Sequence, residues 1–157
     1  MESESMNRIW ALLALVSVVL STVACEREKY RLDAEARRLC ARDGGVKVYE
    51  TVTLNEVEYG KLVNRYGELE IQNKKLARVS DAFYQESIRT HLKTGNPELW
   101  RSEYRIVRRS DGKVLATSVF YTRRGGDLPG PWHESSFSCP SSNDHRSLAN
   151  LAIKKAN

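Results

Sequence analysis

The chain has 157 residues, 41% hydrophobic and 29% charged, with nine Gly, four Pro and a formal net charge of +5. That is enough for one domain with its own core, and the composition is that of a globular protein, with disorder not the default reading. The basic excess is dispersed in pairs, Arg37-Arg38, Lys74-Lys75, Arg108-Arg109 and Arg123-Arg124, with no basic stripe and no nucleic-acid motif, so no nucleic-acid partner is expected.

Residues 9–24, IWALLALVSVVLSTVA, carry no charge. The run is shorter than the roughly 20 residues that span a bilayer and suits the apolar region of a signal peptide, with Arg8 before it and small residues after it. Glu2 and Glu4 stand where such leaders are normally positive, and initiation at Met6 instead of Met1 gives the better n-region, MNRIWALL. The run closes on Ser21-Thr22-Val23-Ala24-Cys25. This resembles the lipobox of bacterial lipoproteins, and the resemblance implies cleavage before Cys25 and a palmitate-bearing lipid anchor on its sulfur. Thr22 occupies the place usually held by Leu, and Ala24 equally suits ordinary signal peptidase, which leaves a soluble periplasmic protein as the alternative; an uncleaved anchor is a third. Glu26 after Cys25, by analogy with enteric lipoproteins, points to the outer membrane, facing the periplasm. The expected division is a signal peptide over 1–24 and a single exported α+β domain over 25–157. Without the leader the chain keeps 24 basic and 18 acidic side chains, a balance compatible with anionic envelope surfaces.

From residue 26 to 43 the pattern is helical, with Leu32, Ala36, Leu39 and Cys40 on one stripe and Gly44-Gly45 as a stop. Residues 46–53, VKVYETVT, are rich in β-branched side chains and read as one strand. Asn55 with Glu58 three positions on makes a capping-box start for a short helix, to which Val57, Leu62 and Val63 bring apolar surface. Residues 65–82 are weakly patterned, with a short strand expected over 69–71 and a polar turn at Asn73-Lys74-Lys75. Tyr84, Ile88 and Leu92 fit a helix or a strand, and the Gly95-Asn96-Pro97 break favours a strand over 83–93. Residues 100–109 and 114–122 flank Ser110-Asp111-Gly112-Lys113 and form a hairpin, with Ser102, Tyr104 and Ile106 on one face and Glu103, Arg105 and Val107 on the other. Asn143 or Asp144 caps a terminal helix carrying Leu148, Leu151 and Ala152. The expected fold is α+β: a small antiparallel sheet packed against N- and C-terminal helices lying near each other, with one disulfide.

Residues 123–140, RRGGDLPGPWHESSFSCP, hold three of the four prolines. Such density of conformationally special residues implies a defined loop shape. Two functions are open to it. As a binding loop, Arg123, Arg124, Asp127, Trp132 and His133 offer guanidinium forks and a stacking surface to a carboxylate, a phosphate or a protein. As a structural loop, Trp132 and Phe137 plug the core and Arg124 pairs with Asp127. His133-Glu134-Ser135-Ser136 contains the ingredients of a hydrolytic triad, but adjacent residues do not converge as a triad does, and no Gly-x-Ser-x-Gly elbow is present, so an enzyme is not expected. His91 and His145 are isolated, and no cofactor motif appears.

Three cysteines leave one odd thiol in an exported chain. Giving Cys25 to lipid leaves Cys40 and Cys139 as a disulfide pair; two separate buried thiols are the alternative. Metal is not expected, because neither Cys-x-x-Cys nor His-x-x-x-His spacing occurs.

With the lipobox, the CARDGGVKVYE and RRGGDLPGPWHESSFSCP segments resemble a family of small Gram-negative lipoproteins without an assigned activity. The resemblance implies the envelope location and supports the Cys40–Cys139 link. The expected function is a non-catalytic binding or structural module, held to the membrane through Cys25 and contacting an envelope protein or anionic envelope component. A soluble periplasmic inhibitor or immunity-type protein is the alternative, and a hydrolase a remote third.

Overall fold

The computed structural model describes residues 26–127, 133–140 and 148–156, together with Trp10 and Pro131. The first helix, α1, runs over residues 26–43 and buries its expected stripe, with Leu32, Ala36 and Leu39 at 1%, 0% and 8% exposure. The Gly44 N–H makes the last helical bond, to the Cys40 carbonyl at 2.8 Å, and the helix stops there; a Cβ on Gly44 would stand 2.6 Å from that same oxygen. Gly45 follows with φ +101°, a conformation that glycine adopts without cost.

The chain then enters β1 (Gly45–Val48), which pairs antiparallel with β5 (Val114–Arg124) from Gly45↔Val119 to Val48↔Ala116. The strand expected over 46–53 divides here. The N–H groups of Tyr49 and Glu50 both bond the Leu115 carbonyl, at 2.8 and 3.1 Å, where β5 carries an extra residue relative to β4. That doubled contact ends the ladder. The next segment, β2 (Val52–Leu54), instead pairs in parallel with β7 (Ile153–Lys155) in a separate two-stranded ribbon.

The short helix α2 (Glu56–Gly60) has the full capping box of Asn55 and Glu58. Val57, expected to face inward, is 70% exposed; a five-residue helix has room for one inward row, and Tyr59 with the following Leu62 takes it. Residues 69–71 form no strand, only the bridge Val63↔Leu69, although Leu69 and Ile71 still pack on the core. The polar turn after Asn73 is present, its side-chain oxygen accepting the Lys75 N–H.

β3 (Phe83–Lys93), β4 (Glu98–Arg108) and β5 then run as an antiparallel meander, giving the order β1-β5-β4-β3. The β4–β5 turn is the expected one, with the Asp111 carboxylate accepting the Lys113 N–H and Gly112 at φ +69°. β6 (Ser136–Cys139), read as loop in the sequence, pairs with residues 121–124 of β5, so β1 and β6 lie end to end along one edge of β5. The disulfide Cys40–Cys139, with Cα atoms 5.9 Å apart, joins the end of α1 to the end of β6. The last helix, α3 (Leu148–Ala152), is a single turn that leads straight into β7. It buries Leu148, Ala149 and Ala152 but leaves Leu151 39% exposed, and the expected caps Asn143 and Asp144 lie outside the described residues.

The fold is therefore α+β with an antiparallel sheet and helices toward both ends of the chain. The terminal helices do not pack together, however. Register places Leu99, Val119 and Tyr121 on one face, under Leu32, Ala36 and Leu39 of α1. Ile106 and Ala116 lie on the other, under Leu148, Ala149 and Ala152 of α3. The cause is β5, buried at every position from Leu115 to Arg123 and so in need of cover on both faces.

The disulfide spans 99 positions. In the chain-entropy picture a loop of that size stabilises by up to about 5 kcal/mol. Replacing Cys40 and Cys139 together by Ala should lower unfolding free energy by about 2–4 kcal/mol in urea titration; a loss below about 0.5 kcal/mol would show that the crosslink constrains little.

Candidate functional site

The loop after β5 is shaped by one side chain. Within β5, Val119, Tyr121 and Arg123 share the face beneath α1, so Arg123 points inward and Arg124 outward. The Arg123 side chain is 3% exposed, and its guanidinium forks onto Asp33 of α1, with Nε to Oδ1 at 2.8 Å and Nη2 to Oδ2 at 3.1 Å. Its Nη1 donates to the Gly125 carbonyl, the Ser135 carbonyl and the Ser135 hydroxyl, all between 2.8 and 2.9 Å. A buried guanidinium is tolerated because its hydrogen bonds are met in this way.

Asp127 adds a second tie. Its carboxylate accepts the Lys29 ammonium, the Ser135 N–H and the Ser135 hydroxyl, so it joins the returning end of the loop to the outgoing one and ties that junction to α1. The two glycines between Arg124 and Asp127 are there for lack of room. Gly126 donates its N–H to the Asn96 side chain at 2.6 Å, and a Cβ on Gly125 would fall 2.2 Å from the same oxygen. Both also have φ above +80°.

The five candidate residues therefore separate. Arg123 and Asp127 are engaged inside the domain, and Asp127 pairs with Lys29 in place of the expected Arg124. Arg124 is exposed and pairs with Glu134, Nε to Oε2 at 2.9 Å. His133 is exposed, and Trp132 lies outside the described residues, as does Cys25. Phe137 packs against the core under α1, beneath the Arg37 guanidinium at 4.5 Å from its ring centre. The local sequence supplied no clue to Asp33, Lys29 or Asn96, which reach the loop from distant elements.

Beyond α1 the same face of the sheet is open and polar. Arg101 and Arg105 both donate to Glu103, whose pKa burial pushes up but the two arginines bring below the ordinary glutamate value. Asp43 at the end of α1 accepts the Tyr121 hydroxyl at 2.8 Å, and the Tyr49 hydroxyl meets Thr117 at 3.3 Å. A cavity of about 440 Å³ lies elsewhere, with Leu54, Leu62 and Phe83 as its apolar walls and Glu58, Lys61 and Asp81 at its mouth. Among the described residues no group of three His, Cys, Asp or Glu side chains is placed to hold a metal ion, and no helix is long and apolar enough to cross a membrane.

Arg123→Ala strips a buried carboxylate of its partner and should cost about 3–5 kcal/mol in urea unfolding, whereas Arg124→Ala, at an exposed pair, should change stability by less than about 0.5 kcal/mol. Asp127 titrates below the ordinary aspartate value, held there by the Lys29 ammonium and by the Ser135 N–H and hydroxyl. A carboxylate depressed in the folded state stabilises above its unfolded pKa, and that contribution is lost as pH falls through the folded value. Unfolding midpoints of the wild type should therefore drop below the ordinary value of 3.8, and Asp127→Asn should be less stable at neutral pH and flatter across the acid range. Parallel acid profiles for the two proteins would contradict the assignment. In comparisons with known proteins, no family profile, no curated protein and no solved structure matches the chain.

Proposed function

We propose that the chain is a cell-envelope lipoprotein whose lipid anchor sits on Cys25 and whose domain is a non-catalytic binding module. The observation that carries this is the Cys40–Cys139 disulfide. Of three cysteines two are consumed in the domain, and such bonds belong to compartments outside the reducing cytosol. Cys25 remains, at the end of an apolar leader and one residue before α1 begins. A tether there has almost no linker. It holds the first turns of α1 close to the bilayer, and with them the loop that Lys29 ties through Asp127.

In this arrangement the Arg124 and His133 side of the loop lies on the membrane-proximal end of the domain. The exposed Arg124, by exchanging Glu134 for another acid, suits an anionic headgroup or the acidic surface of a neighbouring envelope protein. The two described arms of the loop, around Gly125 and Ser135, are held together by the buried Arg123, so a partner that meets them meets a preorganised surface. The alternative of a soluble periplasmic inhibitor draws on Thr22 and Ala24, which suit ordinary signal peptidase.

Intact mass of the mature protein separates the two. The proposal expects a chain beginning at Cys25 with acyl and diacylglyceryl additions, and a Cys25→Ala variant that leaves the membrane fraction. An unmodified Cys25 on membrane-bound protein would contradict it. Release of the unmodified mature chain into the periplasm would establish the soluble alternative.

A further inference from the structure

β3 is the outer strand of the sheet. β4 occupies one of its sides from Phe83↔Arg108 to Lys93↔Leu99. On the other side, among the described residues, one rung is filled: Gln85 donates its N–H to the Gln72 carbonyl and accepts the Lys74 N–H, both at 2.8 Å. The chain then turns away, as Leu76 and Ala77 bond back to Asn73. Main-chain groups alternate sides along a strand, so Ser87, Arg89 and His91 direct their N–H and C=O groups outward as Gln85 does. Among the described residues these groups have no main-chain partner, and residues 87–92 are all exposed.

Proteins usually blunt such an edge with short strands, lysines or bulges. Here the strand has 11 residues, and its irregularity comes only between His91 and Lys93. The side chains flanking the bare stretch differ by face. On one, Arg89 stands over the Trp100 ring at 5.1 Å without a carboxylate partner among the described residues, and His91 lies beside the same ring with its Nδ1 3.8 Å from the Glu98 carboxylate. On the other are Ile88, 37% exposed, and Thr90, opposite Glu103 and Arg101 of β4. A strand laid against this edge would therefore meet the Arg89 guanidinium on one face and the aliphatic Ile88 on the other. A second copy paired about Arg89, the centre of the bare stretch, would set arginine against arginine, which is repulsive.

We propose that residues 87–91 of β3 accept an extended segment of another envelope protein, one in which acidic residues alternate with apolar ones. This rests on the domain being a binding module. Main-chain rungs supply the affinity, and the acidic face against Arg89 with the apolar face against Ile88 supplies the selection.

The probe is the peptide acetyl-Glu-Val-Glu-Val-Glu-Val-amide, titrated into the isotope-labelled full chain in mild detergent and followed by amide NMR. Shift changes are expected to centre on residues 85–92. Arg89→Glu should weaken binding about fivefold, because a favourable cross-strand charge becomes a repulsive one. Two further peptides, N-methylated at alternate residues in either phase, keep every side chain but lose main-chain donors in turn, so at least one should fail to bind. Equal binding of both methylated peptides would overturn the proposal in favour of charge adsorption, as would an absence of binding or shifts confined to another surface. A chain that dimerises without peptide, with the 87–91 amides already protected, would overturn it in favour of a second copy. None of these results depends on the mass of Cys25, so this failure and failure of the tether are told apart.

Discussion

The buried pairing of Arg123 with Asp33 is the constraint around which the rest of the domain is arranged. It joins the central strand to α1, positions 90 apart in the chain, and its remaining donors take up the carbonyls of Gly125 and Ser135. Taking both charges from water costs several kcal/mol, which the fork geometry and the extra acceptors offset, so the net contribution to stability is smaller than the number of bonds suggests. Its effect is on placement. One guanidinium has only one pose that satisfies Asp33, Gly125 and Ser135 together, and that pose fixes where α1 lies and how the loop returns. The disulfide closes the end of the same helix onto β6. With a charged fork near its middle and a covalent bond at its end, α1 cannot slide along the sheet.

A two-sided sheet follows. β5 is covered by α1 on one face and by α3 on the other, flanked by β4 on one edge and by β1 and β6 in tandem on its other edge. What the fold leaves uncovered is as informative as what it buries. The face beyond α1 is finished with a ladder of Arg101, Glu103 and Arg105, and most other basic pairs are engaged: Arg108 with Glu50 and Asp111, Arg109 with the Asp81 carbonyl, Lys74 with Glu86. The outer edge of β3 is the contrasting region, with main chain that is bare among the described residues and an arginine standing over an aromatic ring.

Local patterns were enough for much of this. The α1 stripe and its Gly44-Gly45 stop, the Asn55 capping box and the Asp111-Gly112 turn each depend on residues a few positions apart, and each stands in the structure where the spacing put it. The pieces that were not legible are those created by distant partners. Ser136–Cys139 becomes a strand because β5 has a vacant edge beyond β1, and Ile153–Lys155 because β2 waits about a hundred positions earlier. The loop misled for the same reason: Asp127 was the nearest acid to the arginines, whereas the acid that Arg123 uses is on α1. Strand alternation, continued two residues past Tyr121, would have turned Arg123 inward and Arg124 outward. The unbroken burial of β5 also had a trace in VLATSVFYTR, which lacks the polar alternation of a half-exposed strand.

Native-state hydrogen exchange on Asp33→Asn, with the disulfide intact, tests the central constraint most directly. If the Arg123 fork holds α1 to the sheet, the amides of Leu32, Ala36 and Leu39 should exchange together at least about tenfold faster than in the wild type, while those of β4 and β5 keep their protection. Unchanged protection along α1, or an equal loss across α1 and β5, would contradict it.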